Sequence, residues 1–496
     1  MRRYALFYLA SLIVLGGGVL ALLWAGKNLP QSATPAAPPA VAIANTHPVA
    51  GTEHKARESH DPATATVVSS LLSFWLDNLK QPLSLILVQI LVILLAARGL
   101  GVVFKRFGQP QVIGEMIAGI LLGPSLFGAL APAGFGLLFP ASSLGALKLL
   151  SSIGVLLFMF AVGMELDLSH IRKKASAAVL VSHISILFPY FLGVLAALLL
   201  YHNFAPGGVP FQSFALFMGI AMSITAFPVL ARIIRERGLT GTFLGSTAIT
   251  CAAVDDVTAW CLLAIVIAVA SSGGVGGSIL TVLFSAVFVL AMVFGVKPAL
   301  NRLMRSQPED HPSNSAIAVV LVCVFTAALF TEMIGIHALF GAFLAGVIVP
   351  DRGLFRTQLR HSVESVTTVL LLPLFFAFTG LRTQIGLLND PTDWGVCLLV
   401  IALATLGKLG GTFFTARLTG MGWLDSFRLG ALMNTRGLIE LIVLNIGYEA
   451  GILSPIMFTI MVLMALTTTI LTGPLLTLAD RIETWRVRRV GVAAIP

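Results

Sequence analysis

Residues 252–260 read Ala252-Ala253-Val254-Asp255-Asp256-Val257-Thr258-Ala259-Trp260, two adjacent acids about ten residues into an apolar run that extends from 246 to 271. A run of that length suffices to cross a bilayer. A charge at the centre of such a helix costs about 2.5–3.5 kcal/mol on insertion scales, so its presence demands a reason. A helix N-cap is one home for Asp, but the apolar residues before this pair argue against it. Neighbours on a helix are about 100° apart. One carboxylate is therefore free to face an ion path while the other meets a basic partner.

Outward from this stretch the chain keeps the same character. Of 496 residues, 57% are hydrophobic and 11% charged, against about 25% charged in a soluble domain. Thirteen apolar segments follow one another from residue 83: 83–104, 112–130, 144–165, 176–201, 211–234, 246–271, 277–300, 315–334, 337–349, 363–381, 392–416, 427–448 and 455–479. The reading is an all-α polytopic membrane protein. The ninth segment is short, and Gly341 and Gly346 predict that it is irregular. Cys251, Cys261, Cys323 and Cys397 form no CxxC pair and are read as small buried hydrophobes.

The net charge of +9 does not point to nucleic acid, because the basic residues gather in short connections. Lys105 and Arg106 follow the first segment, Arg172, Lys173 and Lys174 the third, and Arg232, Arg235 and Arg237 the fifth. Lys297, Arg302 and Arg305 follow the seventh, Arg352, Arg356 and Arg360 the ninth, Arg417 and Arg428 the eleventh, and Arg481, Arg486, Arg488 and Arg489 the last. Even-numbered connections hold little beyond Lys148 and Arg382. The positive-inside rule makes the odd connections and the C-terminus cytoplasmic. Residues 1–26, with Arg2-Arg3 before an apolar run, fit a signal peptide or a signal-anchor helix equally. Residues 27–82 read as an extracytoplasmic low-complexity linker, 83–480 as the membrane domain, and 481–496 as a short basic cytoplasmic tail.

The membrane domain repeats internally. Gly114 with Ala118-Gly119 in segment two matches Gly341 with Ala345-Gly346 in segment nine, and Phe158 with Gly163 in segment three matches Phe375 with Gly380 in segment ten. A spacing of seven segments is odd, so the second copy enters from the opposite side, which is the inverted-topology repeat of secondary transporters. Segments five and twelve, also seven apart, are interrupted: one by Ser223-Ile224-Thr225-Ala226-Phe227-Pro228, the other by Asn434-Thr435-Arg436-Gly437. Pro228 removes an amide hydrogen and is expected to disturb its helix, and hydroxyls of Ser223 and Thr225 are available to freed backbone groups. Interrupted segments at matched positions point to a substrate site.

Three further charges lie inside apolar runs: Lys408 in segment eleven, and Arg436 and Glu440 in segment twelve, spaced i, i+4 for a mutual ion pair. Lys408 and Arg436 are the candidate partners of the aspartates. Glu115 is expected at the membrane interface, His183 and His337 as packing residues, and Glu165 and Asp167 in solvent. No phosphate-binding loop or cofactor motif occurs, so neither an ATP-driven pump nor an enzyme is supported and no cofactor is expected.

The stretches Gln109-Pro110-Gln111-Val112-Ile113-Gly114-Glu115 to Gly123-Pro124, Phe160 to Leu166, Thr225 to Pro228, Asp255-Asp256, Gly407-Lys408 and Asn434 to Leu438 together resemble the monovalent cation:proton antiporter-2 family, over roughly residues 83 to 480. The resemblance implies two broken helices crossing near the midplane, a separate dimerisation domain in a homodimer, and elevator-like alternating access. It implies exchange of Na⁺ or K⁺ for H⁺ across a cell membrane, Asp256 as the carrier of cation and proton, Asp255 as the partner of Lys408, and Thr225 beside the ion. An Asp-Asp pair, rather than Asn-Asp, looks like the electrogenic type. Kef-type relatives continue into a cytoplasmic nucleotide-binding domain, whereas this sequence ends about sixteen residues after the last segment, so such regulation is expected to be absent or supplied by another protein. A gated cation channel and a sensor without transport are the alternatives. A channel filter is a ring around a symmetry axis, unlike one acidic cluster at a repeat interface.

Overall fold

The computed structural model describes residues 2–27, 29–30, 78–79, 81–165, 175–239, 241–271, 275–304, 313–351 and 355–492. The linker from 31 to 77 and the basic residues Arg172, Lys173, Lys174, Arg305 and Arg352, with Asp167, lie outside them. Among the described residues there are helices and turns and no strand. Eleven helices are long and apolar enough to cross a membrane, or twelve if one bent pair counts as a span.

The helices are α1 (Arg2–Gly26), α2 (Pro82–Arg106), α3 (Gln111–Leu122), α4 (Ala141–Glu165), α5 (Ala175–Phe204), α6 (Phe211–Ala221), α7 (Phe227–Glu236) and α8 (Phe243–Ser271). Then come α9 (Val275–Leu290), α10 (Asn314–Ile334), α11 (Ala338–Ile348), α12 (Phe355–Val366) and α13 (Leu372–Arg382). The last are α14 (Pro391–Thr405), α15 (Gly411–Leu418), α16 (Trp423–Met433), α17 (Leu438–Glu449) and α18 (Pro455–Val492). Wide π turns at Thr367–Leu371 and Leu406–Gly410 join α12 to α13 and α14 to α15. All thirteen expected segments are present. The second is shorter than its apolar run: α3 stops at Leu122, and two small helical pieces, Phe127–Leu130 and Pro132–Leu138, follow. The last is longer, because α18 continues past 480 to Val492.

The glycines of the sequence repeat sit at close backbone crossings. A methyl group on Gly119 of α3 would collide with the Phe376 carbonyl of α13, and one on Gly346 of α11 with the Phe160 carbonyl of α4. Gly380 and Gly163 face them from the opposite helices. Segment two therefore packs on ten as nine packs on three, the exchange an inverted repeat requires. Close backbone approach is how membrane helices associate when lipid offers no hydrophobic drive. The ninth segment is accordingly a short regular helix, and its glycines serve contact rather than irregularity.

Both interrupted segments are broken. The chain leaves helix after Ala221 and resumes at Phe227, with Pro228 in the first turn of α7. Proline there suits a helix start, where its missing N–H costs nothing, so it opens a second half-helix rather than kinking one. The other break bends by 42° between α16 and α17. Gly437, at φ +156°, ends it against Val229 of α7, 3.0 Å from where a Cβ would stand. The two unwound stretches are tied where they cross, since Ala226 N–H donates to the Thr435 carbonyl at 3.0 Å.

Outside this core the faces are apolar. Leu83, Leu87, Leu91 and Leu95 form an exposed stripe on α2. Cys251 and Cys397 are buried as expected, but Cys261 is exposed and Cys323 intermediate; in a membrane, an outward face takes cysteine as readily as leucine. Glu115 is buried in α3, within the influence of Arg98 and Arg232. His183 packs its ring edge against Tyr8 of α1 at 5.5 Å, and His337 caps α11 in the left-handed region at φ 79°. Glu165 pairs with Arg360 at 3.5 Å.

Candidate functional site

Asp255 is fully buried and fully partnered. Its Oδ2 accepts from Lys408 Nζ at 2.8 Å, Thr225 Oγ1 at 2.8 Å and Ser185 Oγ at 3.3 Å, and its Oδ1 accepts from Ser182 Oγ at 2.5 Å. Four elements converge on one carboxylate: α8 carries it, α5 supplies two serines, the first break supplies Thr225, and the π turn of segment eleven supplies Lys408. Lys408 also donates to Thr225 Oγ1 at 2.7 Å and Ser185 Oγ at 3.2 Å. Its side chain is fully buried. A buried ion pair persists when its geometry is good and its remaining donors are satisfied, and all three ammonium hydrogens have an acceptor here.

Thr225 is the hinge of the cluster. Its hydroxyl accepts from Lys408, and its single proton is shared between Asp255 Oδ2 and the Met433 carbonyl, the latter at 3.0 Å. Any change at Asp255 that withdraws its demand for that proton leaves the hydroxyl to the second broken segment.

Asp256 has a different environment. It is 1% exposed, yet its Oδ1 has no hydrogen-bond partner. Its carboxylate lies by the Phe227 backbone N–H at the amino end of α7, where the helix dipole favours negative charge. A buried carboxylate oxygen without a donor is costly unless the site is built to receive a cation or a proton. Asn434 is likewise fully buried with neither amide atom partnered, and Thr405 and Thr412, flanking Lys408 at i−3 and i+4, have buried hydroxyls without partners. Asp255 is thus a satisfied acid, whereas its neighbour Asp256 keeps an oxygen whose bonding capacity is unused.

Arg436 and Glu440 form the expected i, i+4 pair at 3.1 Å, both fully buried. Arg436 does more than neutralise Glu440. Its guanidinium donates to the carbonyls of Ala221 at 2.9 Å and Met222 at 2.5 Å, which are the orphan acceptors at the carboxyl end of α6. Its own backbone is held by Thr469, which donates to its carbonyl at 2.8 Å and accepts from its N–H at 3.0 Å. Ser223 donates to the Ile220 carbonyl at 2.9 Å. Ser223 and Arg436 therefore finish the broken end of α6, while Thr225, Asp255 and Lys408 form the charged centre.

Ser182 and Ser185 do not stand out in the sequence. Their signal is faint: two hydroxyls at i and i+3 on one face of segment four. Arg382, a connection charge by its place in the sequence, is buried, donating to Asn445 at 2.8 Å and pairing with Glu449 at 2.9 Å.

Known proteins share this arrangement of sequence and fold. Residues 90–479 match the family described as sodium/hydrogen exchanger, transmembrane. The chain is 46% identical over 395 residues to the Na⁺/H⁺ antiporter NhaS4 of Synechocystis sp., covering 79% of this chain and 96% of that one. It is 40% identical to the cation/H⁺ antiporter 17 of Arabidopsis thaliana and 35% identical to the K⁺/H⁺ antiporter 1 of Saccharomyces cerevisiae, over 80% of this chain in each case. It spans about half the length of those two, 49% and 46%. The solved structure of the sodium proton antiporter MjNhaP1 from Methanocaldococcus jannaschii shares the fold with a TM-score of 0.57 at 13% identity, covering 80% of this chain and 99% of that one.

Proposed function

This chain belongs to the sodium/hydrogen exchanger family of transmembrane proteins, and from that premise we propose that Asp256 is where a monovalent cation and protons compete. The protein is a cation:proton antiporter, a secondary transporter and not an enzyme. The observation that supports the site is the contrast between neighbouring acids: Asp255 has every bond filled, whereas Asp256 presents a buried oxygen with none.

A Na⁺ or K⁺ ion settles against deprotonated Asp256, with Thr225 beside it and Lys408 neutralising Asp255. Protons compete for the same carboxylates. Either load cancels the negative charge, and the bare site crosses poorly because uncompensated charge in low dielectric is expensive. Exchange follows because loaded states move and empty ones do not. Two broken half-helices with their dipoles aimed at the crossing hold the cluster at the midplane. The proposed setting is a multi-pass protein of a bacterial cell membrane, in a homodimer, with basic connections and C-terminus in the cytoplasm. The exposed leucine stripe of α2 would face lipid or the second copy.

Reconstitution in liposomes with a pH-reporting dye tests this, with Na⁺, K⁺ and Li⁺ supplied in turn. Asp256→Asn should abolish cation-dependent proton flux while the protein remains folded. Exchange at the wild-type rate in that variant would remove Asp256 from the site. Cation flux that needs no counter-ion would favour a channel.

A further inference from the structure

Trp260 stands one helical turn beyond Asp256 on α8. Residues i and i+4 share a helix face, so the indole rises over the same side as the Asp256 carboxylate. It is 3% exposed and held by two rings of α11: Phe340, edge-on at 5.1 Å and 83°, and Phe343, stacked at 6.1 Å and 28°. Its Nε1–H is buried without a hydrogen-bond partner.

The stack has no counterpart in the other half of the repeat. Matching Gly341 to Gly114 aligns Phe340 with Ile113 and Phe343 with Met116. Both are buried, but neither has a ring. In an inverted repeat, matched positions lie toward opposite membrane faces. At these matched positions the rings stand on one side of the crossing only. On the topology given by the basic connections, α8 enters from the cytoplasm at Phe243, which puts Trp260 on the outer side of Asp256 by about 6 Å of helix rise.

We propose that Trp260, Phe340 and Phe343 form an aromatic lid that closes the outer side of the Asp256 site and must part before the site opens outward. The lid rests on the reading of Asp256 as the ion site. Its role is to prevent both mouths from being open together, so its loss uncouples exchange rather than stopping it. The two ring contacts join α8, which bears the acid, to α11, so opening the site on this face has to part them.

Accessibility tests the lid directly. In a background with Cys251, Cys261, Cys323 and Cys397 replaced, Asp256→Cys is exposed to a membrane-impermeant cationic methanethiosulfonate from each side in turn. With Trp260 present, labelling from outside should be slow. Trp260→Ala should raise the outside rate on the order of tenfold, the effect of losing two aromatic contacts, and Trp260→Phe should restore protection. With Asp256 intact, Trp260→Ala proteoliposomes loaded with Na⁺ or K⁺ should release the cation with less than the matching proton uptake, the charge being balanced by an added ionophore. Unchanged outside labelling in folded Trp260→Ala, or an increase from the cytoplasmic side only, would overturn the lid. Should that variant not fold, Phe340→Leu and Phe343→Leu loosen the same contacts from α11, and the same labelling results support or overturn the lid. Exchange that survives in Asp256→Asn would remove the site while leaving the labelling result readable.

Discussion

Lys408 Nζ lies 2.8 Å from Asp255 Oδ2, and both side chains are wholly excluded from solvent. Removing one partner of such a pair leaves an uncompensated buried charge, a loss of about 3–5 kcal/mol, whereas removing both can be nearly neutral. Asp255→Asn should therefore lower thermal stability sharply. Adding Lys408→Gln should recover part of the loss. Melting temperatures of the two singles and the double, in the same detergent, give the coupling. Strictly additive losses would show that the pair contributes no stability.

The Thr225 hydroxyl contacts Lys408, Asp255 and the Met433 carbonyl. Thr225→Val keeps the shape and removes the bonds. Unpaired buried groups typically cost about 1–3 kcal/mol, so exchange should fall and the apparent affinity for the cation should change. Thr225→Ser should retain most activity. A valine variant with wild-type exchange would reduce Thr225 to packing.

Much of this cluster is legible in the sequence because charge in an apolar run is conspicuous. Asp255, Asp256, Lys408, Arg436 and Glu440 stand out for that reason alone. The helix crossings are legible too, since the Gly119 and Gly346 registers recur where backbones touch. Ser182 and Ser185 are not, because serine is ordinary in membrane helices and its role depends on α5 lying against α8. Pro228 reads as a disturbance in the sequence, while the structure makes it the start of α7; a proline signals a change of direction without saying whether the helix bends or stops. Arg382 shows the same limit: a residue at a segment end reads as a loop charge until α17 supplies Asn445 and Glu449.

Arg436 is predicted to be structural first. It joins the carboxyl end of α6 to Glu440 of the other broken segment. Arg436→Gln should destabilise by about 3–5 kcal/mol, since it strands Glu440 and two carbonyls. Arg436→Lys should recover little, because one ammonium does not reproduce the fork that reaches three acceptors. Yield and melting temperature are the readouts. A stable Arg436→Gln protein that folds normally but does not exchange would move the residue into the transport step.

The last prediction concerns charge movement, and it follows from Asp255 and Asp256 being adjacent with Lys408 bound to the first. If protons are exchanged both at Asp256 and within the Asp255–Lys408 pair, two protons move for each monovalent cation. Each cycle then carries one net charge, worth about 2.3 kcal/mol per 100 mV. Exchange should respond to membrane potential, and clamping the potential at zero should alter its rate. Asp255→Asn removes one of the two titrating centres, so it should weaken the voltage response more than it weakens cation binding. Its destabilising effect is separable, because Asp255→Asn with Lys408→Gln restores part of the fold without restoring the second proton. Currents on a solid-supported membrane read the outcome. Wild-type transport that is indifferent to potential and gives no current would mean that the Asp255–Lys408 pair holds its proton throughout the cycle, leaving Asp256 to exchange one cation for one proton.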